Sequence, residues 1–322
     1  MMHEGIGGYF ELELPDNGGF LHDDGVLLNS GRNALEYVLR SLPDVRHLWI
    51  PFHTCEVVLE PITKLGLSYS FYHIDERLEI RDSIDLKTGD YLLYTNYFGI
   101  KDNYVQQLAD QYGIHLVVDN AQAWFADPVP GISTIYSPRK YVGIPDGGIA
   151  YCETGIDVEQ FEIDSSYNRC SHLLKRIDIG AEEGYQDFKS NSHGLADQPI
   201  RRMSELTKRL LSAIDFDEIK KRRKSNFNYL DARLREINHF SFQNSSSYQC
   251  PMGYPFLQEN QLLRRLLISK GIYIATYWPN VLEWTLGKGI EQEFVVNLLL
   301  LPCDQRYGIE EMNRLFNAIS NQ

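Results

Sequence analysis

The segment "TIYSPRKYVGIPDGGIAY", Thr134–Tyr151, sets Lys140 between a Ser-Pro step and a glycine-rich turn, inside an otherwise apolar run. A lysine amine held in such a place is a nucleophile for a carbonyl carbon. Upstream, "VVDNAQA" carries an apolar run onto a carboxylate, Asp119, with Gln122 just beyond it. A carboxylate so placed can hold a cationic nitrogen. "NSGRNAL" puts Ser30, Gly31, Arg32 and Asn33 where a helical pattern begins. Unpaired N–H groups, the helix dipole and a hydroxyl there favour an anion such as phosphate. Each feature also has a plainer reading. Asp119 can cap a turn, Lys140 can be a solvated loop charge, "PDGG" can be a hairpin turn and "NSGRN" a helix start.

The elements that carry these residues decide between the two readings. From about residue 27 to 155, apolar strand-like runs alternate with helical periodicity. "SGRNALEYVLRSL" has Leu35, Val38, Leu39 and Leu42 on one helix face. "HLWIP" reads as a buried strand, "TCEVVLEPITKLG" as a helix and "SYSFYHID" as a strand; "DYLLYTN" and "DNYVQQLADQYG" repeat the cycle. "IHLVVDNA", "STIYS" and "GIAYC" are further strands. Repeated strand-helix units with apolar strands imply an α/β fold with a mostly parallel sheet, here seven-stranded, flanked by helices. Such sheets bind ligands outside the carboxyl ends of their strands. Those ends supply Pro51, His53 and Thr54, then Asn96, Asp119, and Ser137 to Lys140. The set is what holds pyridoxal 5'-phosphate: a lysine for its aldehyde, a carboxylate for its pyridine nitrogen, and a helix N-terminus with hydroxyls for its phosphate. Lys140, Asp119, Ser30-Gly31 and Ser137 are the candidates.

Past residue 155 the pattern weakens, and 155–200 reads as an irregular excursion. Helical character returns in "MSELTKRLLSAI" and "IKKRRKSNFNYLDARL". The remainder mixes a turn ("QNSSS"), a helix ("ENQLLRRLLISKG"), strands ("IYIATYWP", "FVVNLLLLP") and a last helix ("GIEEMNRLFNAI"). The expected division is 1–215, an N-terminal segment with the large domain, and 216–322, a small α+β domain.

Composition narrows the function classes. The 322 residues carry a net charge of −13, which disfavours a nucleic-acid partner. The basic run Lys220–Lys224 reads as a solvated helix face, with a localisation signal or anion patch as the alternative. The five cysteines show no C-x-x-C spacing, so neither a disulfide framework nor a metal site is expected. No signal peptide and no run long enough to span a bilayer is visible, so the expected location is cytoplasmic and no membrane partner is expected. No G-x-G-x-x-G turn follows the first strand, which sets aside a dinucleotide oxidoreductase.

The segments resemble the DegT/DnrJ/EryC1/StrS family of pyridoxal-phosphate-dependent sugar aminotransferases, of aspartate aminotransferase fold type I. "NSGRNAL" resembles the family's phosphate segment, "VVDNAQA" its Asp-x-Ala-(His/Gln)-Ala, and "YSPRKYVGIPDGG" its Ser-x-x-Lys followed by an acidic residue and Gly-Gly. "RRMSELTKRLL", "TYWPNVL" and the C-terminal "LLLLPCDQRYGIEEMNRLFNAI" extend the likeness nearly end to end. The resemblance implies a cofactor site of Ser30, Gly31, Arg32, Asn33, His53, Cys55, Asp119, Gln122, Ser137 and Lys140, with Lys140 and Asp119 catalytic. It implies transfer of an amino group from an amino acid such as glutamate to a keto-sugar, nucleotide-linked, in a homodimer. Alternatives are another reaction on the same cofactor, such as sugar dehydration, or a regulatory member without turnover. A dehydratase of this family is expected to replace the lysine, which Lys140 disfavours. Two departures stand out. Cys55 stands where the family has an aromatic residue that stacks on the cofactor ring, so either His53 covers the ring or the stacking is weaker. Ile200 stands where an Asn reaches the neighbouring subunit's phosphate, with Asn191 or Arg201 as substitutes.

Overall fold

The computed structural model describes residues 6–242 and 248–320. The described chain runs β1 (Val26–Leu28), α1 (Gly31–Ser41), β2 (His47–Pro51), α2 (Leu59–Lys64), β3 (Ser68–Tyr72), β4 (Asp90–Thr95), α3 (Asp102–Tyr112), β5 (Leu116–Asp119), β6 (Ser133–Tyr136) and β7 (Gly148–Tyr151). It continues with α4 (Ser171–Asp178), α5 (Ala181–Gly194), α6 (Glu205–Ser212), α7 (Phe216–Leu234), β8 (Tyr254–Leu257), α8 (Leu263–Ser269), α9 (Asn280–Trp284), α10 (Ile290–Asn297), β9 (Leu298–Leu301) and α11 (Ile309–Ser320).

Seven strands form one sheet in the order β1-β7-β6-β5-β4-β2-β3. The contiguous block β3-β2-β4-β5-β6 is parallel, and β7 and β1 add antiparallel pairs at one edge. This is the mostly parallel α/β sheet expected from the alternation. β4 and β5 sit in mid-sheet, and Leu92, Leu93, Leu116 and Val117 are wholly buried. Each such side chain contributes about 1.5–3 kcal/mol relative to exposure. The five parallel strands end toward one edge, which carries Asp119 beside Thr95 in register and beside Ile135 on the other side.

α1 is capped by Ser30, whose hydroxyl accepts from the Asn33 N–H at 3.1 Å. Its buried Glu36 is paired with Lys64 at 2.7 Å and with Arg40. β8 and β9 form a separate antiparallel pair. The largest apolar cluster joins Leu92, Tyr94 and Leu116 of the main sheet to Phe227, Leu301 and Met312 of the C-terminal third.

The structure differs from the sequence reading in four places. Residues 155–200 contain two helices, α4 and α5, packed on each other. "IYIATYWP" forms no strand, and its Tyr277 and Trp278 pack as aromatic side chains against Phe98 and His53. "FVVNLLLLP" splits into the end of α10 and the strand β9. β8 is an additional strand, made of the fully buried residues Tyr254 to Leu257. The "QNSSS" turn lies outside the described residues.

Candidate active site

β5 delivers Asp119 to the carboxyl edge of the sheet. The Ala121 N–H donates to its carboxylate at 2.8 Å, and its main-chain carbonyl accepts from Asn96 N–H at 3.0 Å. Burial pushes the Asp119 carboxyl up from its ordinary range; the nearby Lys140 charge and the Ala121 N–H pull it partly back. β6, next in the sheet, ends at Tyr136, and a single 3-10 turn, Pro138–Lys140, follows Ser137. That turn leaves Lys140 exposed at the mouth of the site, while Tyr141 is buried behind it.

The first turn of α1 faces this loop. The Ser30 hydroxyl is used on Asn33, so Gly31 and Arg32 present main-chain N–H groups that the helix itself does not satisfy. A Cβ on Gly31 would lie 3.2 Å from Ser137 Cβ and 3.3 Å from its Oγ. A side chain at this position would crowd Ser137 by a few tenths of an ångström, and glycine leaves the approach of the helix end to the Ser137 hydroxyl open. Behind it, a Cβ on Gly148 would fall 2.1 Å from the Ser30 carbonyl oxygen, so β7 and the cap of α1 are in backbone contact. Asp146, buried one step earlier, accepts from Ser166 at 2.5 Å, Arg169 at 2.7 Å and Thr207 at 2.5 Å. The acidic residue before Gly-Gly thus anchors the loop rather than forming a free turn.

The other expected residues divide. Gln122 is buried beside the site; its Oε1 accepts from the Phe98 N–H at 3.2 Å, and its Nε2 has no hydrogen-bond partner. Asn33 turns away, donating to the Gln198 carbonyl at 2.9 Å. Arg32 pairs with Glu60 at 3.0 Å. His53 is wholly buried among Tyr97, Trp278 and Phe294 with neither ring nitrogen bonded, and burial takes its pKa down to about 3. It is a neutral core ring. Cys55, half-buried, is nearer the surface. Ile200 packs in the cluster under α1, Asn191 donates to the Pro145 carbonyl at 2.7 Å and Arg201 pairs with Asp164.

Two residues have contacts that the sequence reading assigned to neither. Arg139 donates to Ser192 of α5 at 2.9 Å, and burial plus the neighbouring Arg32 bring its pKa to about 10. Phe98, in the turn after β4, holds a left-handed φ of 55°, a conformation a bulky residue adopts only when its surroundings enforce it. Its place directly after a strand end was the available signal. Two open grooves, of about 650 and 470 Å³, lie near Arg314 and near His239, and none of the site residues above lines either one.

The residues fit pyridoxal phosphate on three observations. These are a buried carboxylate partly balanced by one lysine, an amide donor of Gln122 left without an acceptor, and a helix end held open by Gly31 against Ser137.

No family profile and no curated protein matches the sequence. Solved structures do match in fold. A DegT/DnrJ/EryC1/StrS aminotransferase from Brucella abortus is 13% identical with a TM-score of 0.62, covering 92% of this chain and 85% of its own. A protein of sugar-aminotransferase type from Streptococcus pneumoniae, in its PLP form, is 17% identical with a TM-score of 0.61, covering 94% and 88%. A variant of the GDP-4-keto-6-deoxymannose-3-dehydratase ColD, with bound GDP-perosamine, is 14% identical with a TM-score of 0.64, covering 92% and 88%. These likenesses establish the fold.

Proposed function

We propose that the protein is a pyridoxal-phosphate-dependent aminotransferase that moves an amino group from an amino acid, glutamate being the expected donor, to a nucleotide-linked keto-sugar. The observation that carries this reading is the meeting of Asp119 and Lys140 at the strand ends, with the α1 N-terminus closed on Ser137 beside them. When bound, the cofactor supplies an electron sink for charge that develops at a substrate α-carbon.

The chain's residues divide the remaining work. Gly31 and Arg32 N–H and the Ser137 hydroxyl hold the phosphate, with the helix dipole adding to them. Asp119 keeps the ring nitrogen protonated; its burial makes an opposing cation the most favourable way to satisfy its charge. Gln122 Nε2 has a donor to spare for the ring's phenolic oxygen. Lys140 Nζ, exposed on a short turn, would take the proton from the donor's α-carbon as general base and deliver it as general acid to the cofactor's C4′ carbon, so that the amino group stays behind for the acceptor. Substrate relatives of both transaminase and dehydratase type share this fold, so the reaction rests on Lys140 rather than on the fold.

We place the active protein in a homodimer. Leu174, Ile177, Ile179 and Tyr185 on and around α4 and α5 are between 57% and 81% exposed, an apolar face that a second copy would cover. No helix among the described residues is long and apolar enough to cross a membrane.

The test is direct. The protein is loaded with pyridoxal phosphate, reduced with borohydride and mapped by peptide mass, then challenged with amino acids while the visible spectrum is followed. The expected result is label on Lys140 and spectral conversion by glutamate; label elsewhere, or none, overturns the assignment. Light scattering giving a monomer overturns the dimer.

A further inference from the structure

Arg223 lies in a run that reads as a solvated basic face, yet it is only 2% exposed. Its neighbours Lys221, Arg222 and Lys224 are exposed. No carboxylate pairs with it among the ion pairs of the described residues. Its guanidinium spends its donors on three other segments. Nη2 donates to the Tyr141 carbonyl at 3.1 Å, Nη1 to the Met252 carbonyl at 3.0 Å and Nε to Gln305 Oε1 at 2.8 Å. The guanidinium also lies over the Tyr141 ring, 4.6 Å from its centre.

These contacts close a circuit. Gln305 Nε2 donates to the same Tyr141 carbonyl at 2.8 Å. The Tyr141 hydroxyl donates to the Gln122 carbonyl at 2.7 Å, and the Gln122 side chain accepts from Phe98 N–H. The Phe98 carbonyl in turn accepts from Met252 N–H at 2.8 Å. Tyr141, the residue after Lys140, is therefore held by its ring, its hydroxyl and its carbonyl at once. Both donors to that carbonyl come from the C-terminal third, in α7 and in the loop before α11.

We propose that Arg223 is a positioning residue for Lys140, fixing the lysine-bearing turn against the Gln122 turn by clamping Tyr141. The catalytic meaning rests on the function proposed above; the clamp itself does not. A planar guanidinium suits this task because it reaches three acceptors and a ring face simultaneously, which an ammonium cannot. With the clamp loosened, Lys140 samples more positions than the reaction tolerates, and the chemical step suffers before substrate binding does.

The test begins on the protein without cofactor. Hydrogen exchange at Tyr141 to Ile144 is compared for wild type, Arg223→Lys and Gln305→Leu, with β5 amides as the internal reference. Loss of one or two buried bonds to the Tyr141 carbonyl is expected to speed exchange in that loop by about tenfold or more, with β5 unchanged. Should Arg223→Lys not fold, Gln305→Leu, which removes one donor and no charge, decides. Loop exchange unchanged in a folded variant overturns the proposal. In loaded protein, Arg223→Lys is expected to lower kcat by about tenfold or more with KM for the amino donor within about twofold. A rise in KM alone overturns the positioning role. Faster loop exchange in the variants, alongside a wild-type protein that never takes up pyridoxal phosphate, leaves the clamp standing and sinks the proposed function. Normal cofactor uptake with unchanged loop exchange does the reverse.

Discussion

Ionising Asp119 carries a cost, because burial raises its pKa and one lysine and one N–H only partly restore the charged form. An acid whose folded pKa is raised binds more protons folded than unfolded between the two values, so it withdraws stability as pH rises through that window. Asp119→Asn removes the penalty. The unloaded variant is expected to melt at a temperature equal to or above wild type at pH 7 and to be indistinguishable from it in acid. The same variant is expected to lose about a hundredfold or more in transamination, since a neutral amide cannot keep a ring nitrogen cationic. Thermal melts at two pH values and a single turnover assay check both halves. A large loss of stability would mean that Asp119 serves the fold. The placement of candidate residues was legible where an apolar strand runs directly onto a polar residue, as with Asp119 at the end of β5 and Lys140 in the turn after β6. It was not legible for Arg32 or Asn33, whose side chains turn to Glu60 and to the Gln198 carbonyl, partners far along the chain or on another element.

Elements whose burial is periodic or continuous could be read from the sequence; those whose burial is neither could not. β5 and β6 are buried at every position, as apolar runs require in a covered parallel sheet. α4 and α5 escaped because each buries a single residue, His172 and Gly184, so hydrophobic period cannot reveal them. The run Phe294–Leu301, apolar except for Asn297, has no clear period either, and helix and strand divide it between Asn297 and Leu298. Arg223 had a usable sign: Ile219, Arg223, Phe227 and Leu230 fall on one face of α7, and all four are buried. At the level of elements, the junction of β7 with α1 is the tightest contact near the site. Gly148→Ala drives a methyl into the Ser30 main chain, which cannot yield without moving the helix cap, and is expected to cost about 3 kcal/mol or more. Gly31→Ala crowds only the Ser137 side chain, with the Tyr136 carbonyl at an ordinary contact of 3.9 Å, and is expected to cost about 1 kcal/mol while weakening phosphate binding about tenfold. Urea titrations of both variants, with cofactor titration of the second, separate the two; equal destabilisation would contradict the distinction.

The whole molecule is joined where His53, from the end of β2, meets Trp278 and Phe294 from the C-terminal third. Burial holds that imidazole neutral down to about pH 3. A histidine with a lowered folded pKa takes up fewer protons folded than unfolded between about 3 and 6.5, so its contribution is whole above pH 6.5 and lost as pH falls. At pH 5 the loss is about 2 kcal/mol, and His53→Phe is expected to remove most of it, measured as the urea midpoint at pH 5 against pH 7.5. His22 and His172, also lowered by burial, keep a smaller share in the variant. An unchanged pH difference would clear His53. The same junction bears on how the chain divides. A boundary at 215/216 coincides with the start of α7, capped by Asp215. Yet Phe227, Leu230, Leu301 and Met312 share one apolar cluster with Leu92, Tyr94, Tyr97 and Leu116, so the C-terminal third completes its core on the main sheet. A unit that lacks its own closed core does not fold alone. Residues 216–322 expressed by themselves are therefore expected to give no cooperative melt, and the full chain to unfold in one calorimetric transition. A sharp melt from the fragment would show that β8, β9 and their helices suffice for a core, and that the shared cluster is an interface between two folded bodies.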